Sequence, residues 1–283
     1  MNTLMQDNPL LRVRNLSKVY GAITLGLSDR TGAAFQTNIC PKTGTIVACN
    51  NISFDLYPGE VLGIVGESGS GKSTLIQMLY FDLAATSGEA HFRHVDEGMT
   101  NMLELSNQRK RYIRNHLMGM VYQNPRDGLN FRFTAGGNIA EKLLMANVFH
   151  VGKIRDRAAH LLTHTEVPVK RMDESPARFS GGMQQRVQIS KAIANDPPLL
   201  LLDEVTSGLD LSVQAKVLDL IRGLQQQLGI SMIVVSHDLG VIRMLTDRTM
   251  VLKHGQIVEE GLTDQILQDP QHGYTQLLVS SLL

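Results

Sequence analysis

The stretch Gly66-Glu67-Ser68-Gly69-Ser70-Gly71-Lys72-Ser73 constrains the fold more than any other, because it fills the phosphate-loop pattern GxxxxGK[ST] in full. That pattern works only where a strand hands the chain into a glycine turn and a helix carries it away. Val61 to Val65 is an apolar run of the kind buried on both faces of a sheet, and a helical pattern starts near Lys72. Glycines let backbone N–H groups turn inward around phosphates, and the helix amino terminus adds positive potential. Lys72 is expected to reach the β and γ phosphates of a nucleotide and Ser73 to ligate magnesium. Gly66, Glu67, Ser68, Gly69, Ser70, Gly71, Lys72, Ser73 and Thr74 are thus the expected phosphate-binding segment.

Further short apolar runs, Met118 to Tyr122, Leu199 to Leu202 and Met232 to Val235, are each followed at once by polar residues. Together with Val61 to Val65 they predict a mainly parallel sheet covered by helices, with ligands beyond the carboxyl ends of its strands. Val13 to Tyr20 and Ile52 to Leu56 read as strands of alternating polarity. Between them, residues 21–51 are rich in Gly, Thr, Ala and Asn and read as an irregular insertion or extended hairpin. Helical patterns at Asn138 to Ala146, Ile154 to Thr165 and Gly182 to Ala194 predict an inserted helical subdomain over about 124–194. Val213 to Leu228 is a further amphipathic helix, with Val213, Val217, Leu220 and Leu224 along one stripe. Met250 to Leu252 and Ile257 to Val258 read as a hairpin around His254 and Gly255, followed by a short helix from Thr263. The expected fold is α/β: a P-loop NTPase with a mainly parallel central sheet, an antiparallel β subdomain and an inserted helical subdomain. Residues 1–283 are expected to form a single domain.

Composition narrows the partners. Lys plus Arg and Asp plus Glu both count 27, so the basic excess that draws nucleic acid is missing and no nucleic-acid partner is expected. Apolar residues make up 43% of the chain, enough for a sizeable core. Met1 to Leu10 lacks a basic start followed by an apolar stretch, and no run approaches the roughly 18 apolar residues of a membrane span. A cytoplasmic location is therefore expected, with any membrane role peripheral. Cys40 and Cys49 have no companions at zinc-ligand spacing and read as free thiols.

Leu199-Leu200-Leu201-Leu202-Asp203-Glu204 is a buried strand ending in two carboxylates. Asp203 is expected to serve magnesium and Glu204 to act as general base toward the attacking water. Taken alone, such a pair is more often a solvated strand edge, so its meaning depends on its company. That company is Phe179-Ser180-Gly181-Gly182-Met183-Gln184-Gln185-Arg186, which heads a helix where Ser180 and the following N–H groups offer an anion site.

This segment resembles the signature motif of ABC ATPases, and the likeness extends from Leu11 to Leu282 in motifs of the expected order. The resemblance implies ATP and Mg2+ as cofactors. It also implies a homodimer in which Ser180, Gly181 and Gly182 of one copy close over the γ phosphate held by the other, giving composite ATP sites. Within it, Gln123 touches magnesium and the water, Asp210 of the Ser207-Gly208-Leu209-Asp210 loop crosses the dimer interface, His237 contacts the γ phosphate and orients the water, and Tyr20 stacks on adenine. Alone, Gln123, Asp210 and His237 would be ordinary loop residues and Tyr20 a core tyrosine. The implied catalytic set is Glu204, His237 and Gln123, and the implied metal set Ser73, Gln123 and Asp203. Two departures stand out: Met183 occupies a place where the family commonly has Gln, and Val205 one where it usually has Pro. Neither removes a catalytic group, so ATP hydrolysis is expected to survive both.

The segment Asp269-Pro270-Gln271-His272-Gly273-Tyr274-Thr275-Gln276-Leu277-Leu278 resembles the tail of ATPases from oligopeptide, dipeptide and nickel importers. A closer likeness, to the ATP-binding proteins of the carbon-phosphorus lyase system, is carried by Asp127-Gly128-Leu129, Ala135-Gly136-Gly137-Asn138-Ile139, Leu211-Ser212-Val213-Gln214-Ala215 and Tyr274 to Ser281. It implies a soluble dimer that docks on the carbon-phosphorus lyase core complex and couples ATP hydrolysis to phosphonate breakdown, with a second ABC ATPase as an allowed further partner. The importer reading would replace that core by membrane permease subunits. The chain has no Cys cluster for an iron–sulfur centre, so the lyase chemistry itself is expected on other subunits.

Overall fold

The structure, a computed structural model, describes residues 8–22 and 31–281. The reading of the extreme amino terminus, the middle of the 21–51 insertion and the end of the family likeness at Leu282 fall outside the described residues. The chain divides into two compact units, one of residues 1–106 with 233–283 and one of residues 107–232.

In chain order the main elements are β1 (Leu11–Tyr20), β2 (Ile46–Leu56), β3 (Val61–Val65), α1 (Lys72–Leu79) and β4 (Ser87–Phe92). The second unit carries α2 (Asn107–Tyr112), β5 (Met118–Val121), α3 (Pro125–Gly128), α4 (Ala135–Met145), α5 (Val151–His164), α6 (Gly181–Ala192), β6 (Leu199–Asp203) and α7 (Leu211–Leu228). After β7 (Ser231–Ser236) come α8 (Leu239–Leu245), β8 (Arg248–Lys253), β9 (Gln256–Leu262), α9 (Thr263–Gln268) and α10 (Gly273–Ser280).

In the first unit β1 lies between β2 and β4, antiparallel to both. Leu11 faces Leu56 on one side and Phe92 on the other, and Val13 faces Phe54 and Ala90, all of them buried. This is the antiparallel β subdomain. β2 begins at Ile46, earlier than the alternation from Ile52 suggests. Residues 46–51, read in the sequence as part of the 21–51 insertion or extended hairpin, belong to this strand, where Asn51 takes a φ of 53° and its N–H donates to Ser17 Oγ at 2.9 Å. The short β4 was not expected at all. The unit also has a second set of strands, β3 parallel to β8 and β8 antiparallel to β9, with His254 and Gly255 forming the predicted two-residue turn.

The second unit pairs β5 with β6 in parallel, every residue of both being buried. Helices α4, α5 and α6 pack on one another, and Ile139, Leu143, Ile154, Ala158, Leu161, Val187 and Ile189 on them are buried. In α7 the buried stripe is Val217, Leu218, Ile221 and Leu224, rotated from the expected one, with Val213 and Leu220 only half-buried. Among the described residues no helix is long and apolar enough to cross a membrane.

Candidate nucleotide-binding site

The predicted site residues are divided between the two units. In the first, β3 delivers the chain into the phosphate loop and α1 carries it away. Gly66 has a φ of 153°, and a Cβ there would lie 2.1 Å from Leu252 O. Gly71, the residue before α1, has a φ of 106°, and its Cβ would lie 2.1 Å from Ala48 O. The loop is therefore pressed against β8 and β2 at two points that accept no side chain. Lys72 is buried and its Nζ donates to Gly66 O at 2.7 Å and Glu67 O at 2.9 Å, so the ammonium is turned into the loop rather than out to solvent. Ser70 Oγ is buried without a hydrogen-bond partner, while the space beyond Gly69 is open. An inward ammonium, an orphaned hydroxyl and an open face fit a polyphosphate bound on backbone N–H groups. Ser73 and Thr74 follow, half-buried, in the first turn of α1.

Two more groups of this unit hold the loop, and the sequence reading assigned neither to it. Tyr274 Oη accepts the Glu67 N–H at 3.0 Å, and Asn38 Nδ2 donates to Gly69 O at 3.3 Å. Tyr20 and His237 stand exposed at the ends of β1 and β7, with Lys18 Nζ 5.0 Å from the Tyr20 ring centroid.

In the second unit β6 ends on the buried Asp203, and the next residue, Glu204, turns the backbone into the left-handed region at a φ of 45°. Gln123, two residues past β5, donates from Nε2 to Glu204 Oε2 at 2.8 Å and to Ser207 Oγ at 3.4 Å. The structure thus brings three predicted loop positions together. The buried Gln188 brackets the residue before Gln123: its Oε1 accepts from Tyr122 N at 2.8 Å and its Nε2 donates to Tyr122 O at 3.0 Å. An amide two turns into α6 gives no local sequence signal for this role.

Ser180 caps α6, its Oγ accepting from Met183 N at 3.4 Å, and Gly181 is exposed beside it. Gly182 is buried so closely that a Cβ would lie 2.3 Å from Val213 Cγ1. Asp210 caps α7 by accepting from Val213 N at 3.0 Å and Ser212 Oγ at 2.8 Å, and these bonds, the Ser212 hydroxyl first, hold its carboxyl below the usual range.

The sequence profile of the family described as ABC transporter matches residues 49–207, more than half of the chain. The chain belongs to the ABC transporter family of ATPases. It is 45% identical to the phosphonates utilization ATP-binding protein PhnK of Escherichia coli (strain K12), over 98% of this chain and 99% of that one. A peptide import ATP-binding protein of Brucella abortus (strain 2308) is 38% identical over the whole chain and 80% of its own length. Among solved structures, the ATP-binding cassette MJ0796, as a post-hydrolysis dimer bound to ADP and Pi, matches with a TM-score of 0.74 and 28% identity, covering 89% of this chain and 98% of that one.

As an ABC ATPase, the chain binds ATP with magnesium and hydrolyses it to ADP and phosphate. Its two departures from the family pattern have visible surroundings. Met183 Sδ lies 3.5 Å from Arg171 Nη1, and the Gln184 amide one place later donates to Pro176 O and Phe179 O at 3.0 and 3.1 Å. A glutamine thus still grips the chain leading into Ser180. Val205 is buried, an apolar side chain in the place where the family usually has Pro.

Proposed function

We propose that this ABC ATPase works in the cytoplasm as a homodimer that docks on a carbon-phosphorus lyase core complex and couples ATP hydrolysis to phosphonate breakdown. The observation that carries this reading is the 45% identity to PhnK along nearly the whole chain, against 38% to the peptide import relative. It is supported by the segments Asp127 to Leu129 and Ala135 to Ile139, which resemble the lyase-associated proteins.

In the proposed mechanism Lys72, positioned by its bonds to Gly66 O and Glu67 O, presents its ammonium to phosphate oxygens, and the N–H groups of Gly69 to Thr74 take the rest of the negative charge. Ser73, Asp203 and Gln123 hold the magnesium, whose charge neutralises that developing on the phosphates when it is bound. Glu204 accepts the proton of the attacking water, with its carboxylate oriented by Gln123. His237 orients that water. Tyr20 stacks on adenine. Ser180, Gly181 and Gly182 of one copy, with Asp210 beside them, complete the site of the other, so hydrolysis opens and closes a dimer that can move a bound partner.

The test is a deletion strain supplied with methylphosphonate as sole phosphorus source, combined with affinity purification of the tagged full-length protein. Loss of growth and recovery with phosphonate enzymes is expected. Normal growth, with recovery of polytopic permeases instead, would establish the importer reading.

A further inference from the structure

The tail segment Asp269 to Leu278 is used by none of the steps above, yet it reaches the phosphate loop. Glu259, on β9, accepts from Gln271 N at 2.8 Å and His272 N at 3.0 Å, which fixes the turn after Pro270. His272 Nδ1 then accepts from Tyr274 N at 3.1 Å and caps α10. This sets Tyr274, 5% exposed, with its hydroxyl 3.0 Å from Glu67 N and its ring 4.7 Å below the Lys253 ammonium. Lys253 Nζ in turn donates to Gln36 Oε1 at 2.7 Å, so the 31–45 segment joins the same network.

The geometry points to Tyr274 as a positioning residue for Lys72. Gly66 O and Glu67 N belong to one peptide group, and that group is planar. Its carbonyl accepts from Lys72 Nζ and its N–H donates to Tyr274 Oη. A peptide plane held at both ends cannot rotate, and its rotation would swing Gly66 O and release the ammonium that must meet the phosphates. Tyr274 never touches the nucleotide in this scheme. It acts through the backbone, and Glu259 and His272 act through Tyr274. This inference rests on the ATPase activity and is independent of whether the partner is a lyase or a permease.

Tyr274→Phe is the decisive variant, because it keeps the ring under Lys253 and removes only the hydroxyl. Two readouts are taken on the full-length protein: the affinity for MgADP by titration calorimetry, which needs no turnover, and hydrogen exchange of the peptides covering β3, the loop and α1. One neutral hydrogen bond at the loop corresponds to a loss of affinity of about threefold to tenfold. The expected result is that loss, together with faster exchange at Glu67 and its loop neighbours while Val61–Val65 exchange as in the wild type. Unchanged MgADP affinity overturns the proposal. So does loop exchange that is unchanged, or that rises no more than that of β3, since the first means the hydroxyl holds nothing and the second a general loosening. Glu259→Ala, which frees the turn before Tyr274, is expected to shift both readouts in the same direction with Tyr274 itself intact.

Discussion

Gln123 Nε2 donates to Glu204 Oε2 at 2.8 Å, so the amide two residues past β5 holds the carboxylate just past β6. Glu204 sits at a φ of 45°, a conformation that costs a non-glycine residue on the order of 1–3 kcal/mol. The Gln123 bond therefore orients a side chain whose backbone is already committed to an uncommon geometry.

If Glu204 takes the proton from water, Glu204→Gln keeps the shape and the hydrogen-bonding length but loses the basicity. Nucleotide binding should persist while the hydrolysis rate falls by about a hundredfold or more. Phosphate release under saturating ATP, paired with equilibrium ATP binding, checks both halves. Hydrolysis at the wild-type rate would remove Glu204 from the mechanism.

Gln123→Ala should act through kcat rather than through affinity. Removing the amide leaves Glu204 chemically intact but free to rotate, and a misplaced base lowers turnover by about tenfold or more. A rise in the KM for ATP with kcat unchanged would place Gln123 in binding instead.

The two signature glycines should differ in stability as well as in chemistry. A Cβ on Gly182 would lie 2.3 Å from Val213 Cγ1, whereas one on Gly181 would meet nothing nearer than Leu209 Cδ2 at 3.6 Å. Overpacking of this kind costs about 1–3 kcal/mol, so Gly182→Ala should melt clearly below Gly181→Ala in nucleotide-free thermal denaturation. The gain in helix propensity is common to both and cancels in the comparison. Equal melting temperatures would show that Val213 moves aside at no cost.

Local chemistry made much of this molecule legible. The phosphate loop announces itself because strand, glycines, lysine and helix lie consecutively, and His254-Gly255 marks its hairpin for the same reason. β4 stayed hidden because only Ala90 and Phe92 of Ser87–Phe92 are buried, too short an alternation to separate from a polar loop. The start of β2 stayed hidden because residues 46–51 close the Gly-, Thr-, Ala- and Asn-rich stretch 21–51, which reads as an insertion. Gln188 and Tyr274 were illegible for a different reason: each serves the site by a bond to distant backbone, at Tyr122 and Glu67, and nothing within ten positions of either residue encodes that partner.

Lys142 offers a test of the scaffold behind Gln123. It is a buried lysine of α4 whose Nζ donates to Met118 O, the first residue of β5, at 3.2 Å and also to Arg114 O in the π-helical turn Ile113–Leu117. Burial, then the nearby charges of Lys191 and Arg114, push its pKa down to about 8. A lysine with a folded pKa below its unfolded value binds fewer protons in the folded chain, so it opposes folding at low pH and this opposition is relieved as pH rises from about 8 to about 10.5. The relief amounts to about 3 kcal/mol at roughly 1.4 kcal/mol per pKa unit. Cys49 pulls the other way in the upper part of that range, because burial raises its thiol to about 12 and the folded chain keeps a proton the unfolded one loses. The comparison must therefore be made between proteins that share Cys49. Subtracting the stability of Lys142→Met from that of the wild type at each pH cancels Cys49, and the difference should move in favour of the wild type by about 3 kcal/mol between pH 8 and pH 10.5. Chemical denaturation across that range measures it, and a difference that stays flat would mean that Lys142 keeps its proton in the folded protein throughout.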